Sequence, residues 1–206
     1  MIILASSSPR RTELLTAAGI EHRVITEDTS EISSGSPAVV VRENARLKAG
    51  AVAEAIAHGK YSDDTGNLKE LPVLGADTIV ALEQSGGKGS PRIFGKPKDE
   101  EEAREMLMSL SGRSHSVYTG ICIIQDGREY SSVDKTLVHF LEITPEALER
   151  YISSGEWQGK AGAYAVQGRA MAFVDRLEGS AANVIGLPVH AVVALAEENG
   201  IKLYGD

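Results

Sequence analysis

The sequence predicts an α/β fold with a mixed β-sheet, and three observations support this class. Segments with strand-like and helix-like patterns alternate along the chain. Residues 72–82, PVLGADTIVAL, are apolar enough for a strand that is buried on both faces, as is typical of parallel strands. The dipeptide Asp126-Gly127 separates two strand-like segments and predicts a tight antiparallel hairpin. The sheet should therefore contain both parallel and antiparallel neighbours.

The segment before residue 72 contains two predicted strands and two predicted helices. In chain order they are a strand at 1–5, a helix at 8–18, a strand at 21–26 and a helix from about 37 to 57. Ser8 is the predicted N-cap residue of the first helix, and Pro9 is its first helical residue. The long helix is predicted because four apolar residues and one lysine recur at helical spacing; these are Val41, Ala45, Lys48, Val52 and Ile56.

Polar or glycine-rich segments separate the remaining elements. Residues 58–70 are predicted to form a surface loop, and residues 83–92 a flexible turn or hairpin tip. A helix is predicted over residues 98–112, where Asp99 and Glu102 resemble a capping box and Gly112 ends the helix. The other predicted elements are the two strands that flank Asp126-Gly127, a helix that starts at Thr144-Pro145 and a last helix at 189–199.

Length, charge and cysteine content restrict the class of protein. A chain of 206 residues suffices for one sizeable domain, or for two lobes that share a cleft. The formal net charge of −8 argues against a general nucleic-acid-binding surface, so any anion site must concentrate positive charge locally. The single Cys122 excludes an internal disulfide and is interpreted as a reduced core residue. With neither a signal peptide nor a membrane-length apolar segment, a cytoplasmic protein without a membrane partner is expected.

The segment LASSSPRRTELL, residues 4–15, places Arg10 and Arg11 in the first turn of a helix. A cation at the positive end of a helix dipole is unfavourable by about 0.3–1 kcal/mol. Three serines, the helix N-terminus and two guanidinium groups together favour a polyanion such as phosphate. The alternative interpretation is that both arginines are solvated surface residues, and the segment alone does not decide between the two.

Two carboxylates are candidates for metal binding. Asp77 lies within a strand predicted to be buried, where a carboxylate is costly unless it is paired or bound to a metal. Alternatively, Asp77 is a structural residue that accepts hydrogen bonds from backbone N–H groups. Glu31, in the polar segment EDTSEI, is a candidate second carboxylate, or simply an exposed residue. Two carboxylates together with phosphate oxygens are a common way to hold Mg²⁺.

Three lysines next to glycine or alanine are candidates for neutralising a triphosphate. Lys48 occurs on an otherwise largely apolar helix face, and Lys96 and Lys160 occur in the glycine-containing segments FGKPKD and GKAGAYAVQG. Glycine allows the backbone to approach a ligand closely. Each lysine taken alone is most often a solvated surface residue, so several of them would be needed to neutralise a triphosphate. In contrast, His115 in SGRSHS is interpreted as a structural hydrogen-bonding residue, because neighbours in sequence do not form a catalytic triad.

Five segments occur in the order and approximate spacing of the Maf family. They are ASSSPRR, GADTIV, GKPKDEEEAREMLMSLSGRSHSVYTG, KAGAYAVQG and NVIGLP. The resemblance extends from Leu4 to about Pro188, and five motifs in sequence are highly specific. It implies a nucleoside triphosphate pyrophosphatase, which releases the nucleoside monophosphate and pyrophosphate. It also implies a single domain over residues 1–206, with a mixed twisted sheet, flanking helices and two lobes around a deep cleft, similar to inosine triphosphatases.

The resemblance assigns roles to the candidate residues. Asp77 matches the catalytic base of the family, and Glu31 matches its acidic loop residue in a segment where the similarity is loose. Lys48, Lys96 and Lys160 match its cleft lysines. The expected cofactor is a divalent cation, Mg²⁺ or Mn²⁺, held by Glu31 and Asp77.

The resemblance also implies a substrate. The branch of the family that acts on dTTP and UTP resembles this chain at three selectivity positions, Arg10, Thr78 and Gln167. The branch that acts on 7-methyl-GTP has tryptophan, glutamine and glutamate there. The Gln167 amide offers a donor and an acceptor to a pyrimidine edge that also carries both. CTP or modified pyrimidine nucleotides are further candidate substrates.

These roles combine into one expected mechanism. The Ser6–Ser8 turn, Arg10 and Arg11 cradle the triphosphate while Asp77 activates a water, and the lysines stabilise the developing charge. Two other hypotheses stay open, namely a phosphomonoesterase or nucleotidyltransferase and a non-catalytic nucleotide-binding regulator of septum formation. The resemblance makes a homodimer plausible, although the sequence itself shows no interface.

Overall fold

The computed structural model describes residues 1–61, 68–83 and 89–204, and it shows a mixed α/β fold. The helices and strands in chain order are β1 (Ile2–Ala5), α1 (Pro9–Ala17), β2 (His22–Val24), α2 (Pro37–Ala57), β3 (Val73–Leu82), β4 (Arg92–Phe94), α3 (Glu100–Leu110), β5 (Ser114–Gln125), β6 (Arg128–Phe140), α4 (Pro145–Ile152), β7 (Val174–Glu178), α5 (Ala181–Ile185) and α6 (Val189–Glu198). Short 3₁₀ turns cover Leu68–Glu70, Ala161–Ala163 and Arg169–Phe173.

The seven strands found in the described residues form one mixed sheet, as predicted. Their order is β2-β1-β3-β5-β6-β7, and β4 pairs with β3 outside this path. β1 is parallel to both β2 and β3, whereas β4 is antiparallel to β3 and β7 is antiparallel to β6. The flexible turn or hairpin tip predicted at residues 83–92 stays a prediction, because residues 84–88 lie outside the described part of the chain.

Local sequence signals account for the element boundaries. Ser8 is the N-cap residue of α1, and Pro9 is the first helical residue. Asp99 accepts a hydrogen bond from the Glu102 N–H at 2.9 Å, and the Glu102 carboxylate accepts one from the N–H of Lys98, one residue before the cap. Asp126 and Gly127 have φ values of 51° and 73°, the left-handed conformation that a two-residue hairpin requires.

Three parts of the chain differ from the predicted elements. The segment 58–70 was expected to be a surface loop, but Leu68 begins a 3₁₀ turn and is only 3 % exposed, since it packs with Ile56 and Val73. Residues 62–67 of that segment lie outside the described residues. β4, β7 and α5 were not predicted, because they are only three to five residues long and β7 alternates weakly between apolar and charged side chains.

The chain divides into two compact units. The first contains Met1–Asp77, Thr119–Asp134 and Gly186–Asp206, and the second contains Thr78–Tyr118 and Lys135–Ile185. The expectation of two lobes that share one active-site cleft stays a prediction. Among the described residues, no helix combines the length and the apolar character that a bilayer crossing requires.

The core of the first unit brings α2 unusually close to the sheet. A Cβ atom on Gly75 of β3 would lie 2.2 Å from the Ala45 carbonyl oxygen, and one on Gly120 of β5 would lie 2.3 Å from the Val41 carbonyl oxygen. Only glycine therefore permits this approach of the helix to the strands. Cys122 of β5 is buried and unpaired as predicted, and burial raises the pKa of its thiol to about 12.

The core of the second unit contains a cluster of aromatic rings. The rings of His115, Phe140 and Tyr164 meet edge to face, and His115 Nε2 lies 2.8 Å from the Tyr164 hydroxyl. Burial lowers the pKa of His115 to about 3, so this imidazole is neutral at physiological pH. The prediction that His115 is a structural hydrogen-bonding residue is confirmed.

Candidate active site

Asp77 lies near the middle of β3 and is the last residue of that strand in the first unit. The residue is 8 % exposed, and both of its carboxylate oxygens have side-chain partners from α2. Lys48 Nζ donates to Oδ1 at 2.7 Å, and Asn44 Nδ2 donates to Oδ2 at 3.1 Å. These partners are an ammonium and an amide, not the backbone N–H groups that the purely structural interpretation of Asp77 assumed.

The approach of α2 to β3 explains this arrangement. Asn44 and Lys48 are four residues apart, so they occupy the same helix face one turn apart. Gly75, two residues before Asp77, lets that face lie against the strand. The spacing predicted for α2 is confirmed, and Lys48 is largely buried, with 18 % of its side chain exposed, instead of solvated.

Glu31 joins the same cluster from the irregular segment between β2 and α2. Its Oε1 lies 3.0 Å from Lys48 Nζ, so one ammonium contacts two carboxylates. The side chain of Glu31 is 48 % exposed and remains accessible to solvent. The backbone of the next residue, Ile32, exchanges two hydrogen bonds with the Asn44 amide, at 2.8 and 3.0 Å.

Sequence reasoning missed Asn44. The sequence does contain a feature that could have indicated it: Asn44 is a polar residue on the face of α2 that carries Val41, Ala45 and Lys48. An asparagine at a buried helix position requires partners for its amide. The partners themselves lie 12 and 33 residues away in the chain, and no pattern in the sequence indicates them.

The serine-rich turn and Arg11 lie in the same unit. Arg11 is buried; its Nε donates to the Gly186 carbonyl at 2.8 Å, and its Nη1 donates to Ser6 Oγ at 2.8 Å. The Ser8 N–H also donates to Ser6 Oγ, at 3.3 Å. Burial lowers the pKa of Arg11 to about 10, with the negative charge of Asp77 opposing this shift, so the guanidinium is charged at neutral pH.

Arg10 differs from its neighbour in burial. It is half-buried, and this partial burial lowers its pKa, while the carboxylate of Glu13 opposes the shift. Arg11 therefore contributes positive charge to the cluster from within the protein, whereas Arg10 lies closer to solvent. The direct contact of either arginine with phosphate stays a prediction.

The other predicted site residues belong to the second unit. Lys96 is exposed and follows Gly95, whose carbonyl accepts a hydrogen bond from the Gly162 N–H at 3.0 Å. This bond joins the Lys96 segment to the segment that carries Lys160, whose Nζ donates to the Gln158 carbonyl at 3.3 Å. Gly162 is required here, because its φ is 67° and a Cβ would lie 2.8 Å from Val80.

Gln167 is exposed on a loop whose backbone is held by the carboxylate of Glu156. Both oxygens of Glu156 accept from the Arg169 N–H, at 2.8 and 3.1 Å. A Cβ on Gly168 would lie 2.2 Å from Glu156 Oε1, so glycine allows the carboxylate to approach. Thr78, the first residue of β3 in the second unit, is half-buried. Glu156 is a second residue that sequence reasoning missed.

The donor set of the first unit fits a divalent cation that also binds phosphate. No group of three or more His, Cys, Asp or Glu side chains able to hold a metal occurs in the described residues, so protein ligands alone do not complete a site. Asp77 and Glu31 nevertheless converge on one cationic group, the Lys48 ammonium. Two carboxylates suit Mg²⁺, which keeps waters and accepts phosphate oxygens as further ligands.

Comparisons with known proteins agree with this chemistry. The family model described as Maf-like protein matches residues 1–199. A dTTP/UTP pyrophosphatase of Pelotomaculum thermopropionicum is 41 % identical over 206 residues, covering 98 % of each chain. Proteins of the same name from Chelativorans sp. and Pyrococcus abyssi are each 42 % identical, over 98 % and 95 % of this chain and 93 % and 94 % of their own.

Proposed function

The chain belongs to the Maf family, and we propose that it hydrolyses dTTP and UTP between the α- and β-phosphates. The products are the nucleoside monophosphate and pyrophosphate. One observation carries the proposal: a largely buried carboxylate, Asp77, is oriented by Lys48 and Asn44 and lies in one charged cluster with Glu31. CTP and modified pyrimidine nucleotides are candidate additional substrates.

Asp77 is the proposed general base. It orients the attacking water and accepts its proton as the water attacks the α-phosphorus, and the pyrophosphate leaves from that phosphorus. Lys48 holds the carboxylate in place through the 2.7 Å contact to Oδ1. General-base catalysis of this kind typically contributes about 10²–10⁴-fold to the rate.

The positively charged residues are proposed to bind the triphosphate. Ser6, Ser8 and the N-terminus of α1 supply hydroxyl and N–H donors, and Arg10 and Arg11 supply charge. Lys96 and Lys160 are assigned to the charge that develops on the leaving pyrophosphate. The resemblance to the dTTP/UTP branch supports Thr78 and Gln167 as residues that select the pyrimidine base, with the Gln167 amide as donor and acceptor.

Glu31 and Asp77 would hold a divalent cation, Mg²⁺ or Mn²⁺. When bound, the ion supplies neutralisation and polarisation of the phosphoryl oxygens. Lys48, which contacts both carboxylates, would help to keep them close together. Residues 1–206 are proposed to form one catalytic domain of a cytoplasmic enzyme. A homodimer is compatible with this proposal.

The test is a panel of canonical and modified nucleoside triphosphates with Mg²⁺, in which pyrophosphate and orthophosphate are measured separately. We expect pyrophosphate from dTTP and UTP. Asp77→Asn should retain the fold, by circular dichroism and thermal unfolding, but lose at least about 100-fold in turnover.

The alternative functions give other products in the same assay. Release of orthophosphate would indicate a phosphomonoesterase, and transfer of the nucleotide to an acceptor would indicate a nucleotidyltransferase. Tight nucleotide binding without any product would favour the non-catalytic regulator of septum formation. Wild-type turnover by Asp77→Asn would remove Asp77 from the role of base.

A further inference from the structure

We propose that Asn44 is a positioning residue of the active site, which fixes the Asp77 carboxylate and the segment that carries Glu31 with a single amide. The effect of Asn44 on catalysis rests on the proposed function. The structural basis of the proposal is independent of that function, because it consists of three hydrogen bonds within the first unit.

The bonding capacity of the Asn44 amide matches its surroundings. Oδ1 accepts from the Ile32 N–H at 2.8 Å, while Nδ2 donates to the Ile32 carbonyl at 3.0 Å and to Asp77 Oδ2 at 3.1 Å. An amide nitrogen has two hydrogens, and these two bonds use both. The residue is 3 % exposed, so water cannot readily replace these partners.

The contact with Ile32 determines where Glu31 lies. The segment between β2 and α2 has no regular secondary structure, so ladder hydrogen bonds do not fix its path. Asn44 instead pairs with both backbone groups of Ile32, as a neighbouring strand would. Because Glu31 directly precedes Ile32, its carboxylate is held within reach of Lys48.

The hydrogen bond from Asn44 orients the Asp77 carboxylate without adding a charge. Lys48 and Asn44 each hold one carboxylate oxygen, which prevents rotation of the carboxylate plane. The amide of Asn44 is neutral, so it orients the carboxylate without adding a second positive charge beside that of Lys48. Asn44 thus links the proposed base and the proposed second metal ligand to one rigid helix.

The experiment compares Asn44→Ala, Asn44→Asp and the control Glu43→Gln. Alanine removes all three bonds. Aspartate keeps the shape and the acceptor for the Ile32 N–H but loses both donors and places a carboxylate against Asp77. Glu43 is the adjacent residue of α2 and pairs with Arg46 at the surface, so its substitution controls for changes to the helix.

We expect kcat for dTTP to fall by about 10- to 100-fold in both Asn44 variants, with KM changed by less than about threefold. The Kd for Mn²⁺, measured by calorimetry without nucleotide, should rise about 10-fold or more. Hydrogen exchange of the Ile32 amide should accelerate most in Asn44→Ala. Glu43→Gln should match the wild type in all three measurements.

Asn44→Asp separates positioning from packing. If Asn44 only fills space, the isosteric aspartate should retain more activity than alanine. If it positions Asp77, aspartate should be at least as impaired as alanine. Lower thermal stability with unchanged kcat and Mn²⁺ affinity, or unchanged exchange at Ile32, would overturn the proposal.

The wild type provides a measurement that needs no substitution. The side-chain amide protons of Asn44 should exchange slowly with solvent in NMR spectra, and unprotected protons would overturn the proposal even if both variants fail to fold.

Failure of the proposed function has a different signature, since the wild type would then release no pyrophosphate. Mn²⁺ affinity and Ile32 exchange would still decide the role of Asn44.

Discussion

Replacing Lys48 by methionine removes the charge but keeps most of the side chain, and it should lower the free energy of unfolding by about 2–3 kcal/mol. The ammonium lies 2.7 Å from Asp77 Oδ1 and 3.0 Å from Glu31 Oε1. The Asp77 side chain is only 11 % exposed, so its charge-assisted bond should contribute about 1.5–3 kcal/mol. Glu31 is 48 % exposed, so its pair should add no more than about 1 kcal/mol.

A double-mutant cycle isolates the part of this effect that belongs to Asp77. The wild type, Lys48→Met, Asp77→Asn and the double variant are compared by equilibrium unfolding in urea. We expect a coupling energy of about 1.5–3 kcal/mol, because the methionine substitution costs less once the carboxylate is gone. A coupling energy below about 0.5 kcal/mol would refute the reasoning, since it would mean that the two groups do not interact in solution.

Three further predictions concern other parts of the molecule. Gly75→Ala should destabilise the protein by about 1–3 kcal/mol in urea unfolding, because its Cβ would meet the α2 backbone, whereas Gly50→Ala meets nothing within 4 Å and should be neutral or stabilising. Gly168→Ala should displace the carboxylate that holds the Gln167 loop, and so raise the KM for dTTP more than it lowers kcat; an unchanged KM would contradict this. Burial lowers the pKa of His115 from 6.5 to about 3, so the unfolded chain binds this proton first as the pH falls. Relative to His115→Gln, the wild type should therefore lose stability between about pH 6.5 and 3, by up to about 1.4 kcal/mol per pH unit, and equal pH slopes would contradict the assignment.

The long helix shows which features can be predicted from the sequence. Its predicted range, about 37 to 57, agrees with α2, because Pro37 suits the first helical position and apolar residues recur every three or four positions to Ile56. The capped helix α3 and the Asp126-Gly127 hairpin were predicted for similar reasons. Each of these elements is encoded by residues that are close in sequence.

Arg11 shows what sequence patterns leave undetermined. Its position in the first turn of α1 was predicted, but its burial depends on the carbonyl of Gly186, which lies 175 residues away. The same limit applies to Asn44, whose partners Ile32 and Asp77 come from an irregular segment and a strand. Local signals determine where an element begins and ends, whereas these contacts depend on tertiary packing.

The charges of the first-unit cluster bear on how a triphosphate is bound. Asp77 and Glu31 carry two negative charges, and Lys48 and Arg11 carry two positive charges, since the pKa of Arg11 is lowered only to about 10. The cluster is therefore close to neutral and attracts a polyanion only weakly by itself. In a chain with a net charge of −8, the proposed function therefore assigns further positive charge to Arg10, Lys96, Lys160 and a divalent ion. Under that proposal these groups neutralise the phosphates, and Asp77 serves as the base for the attacking water.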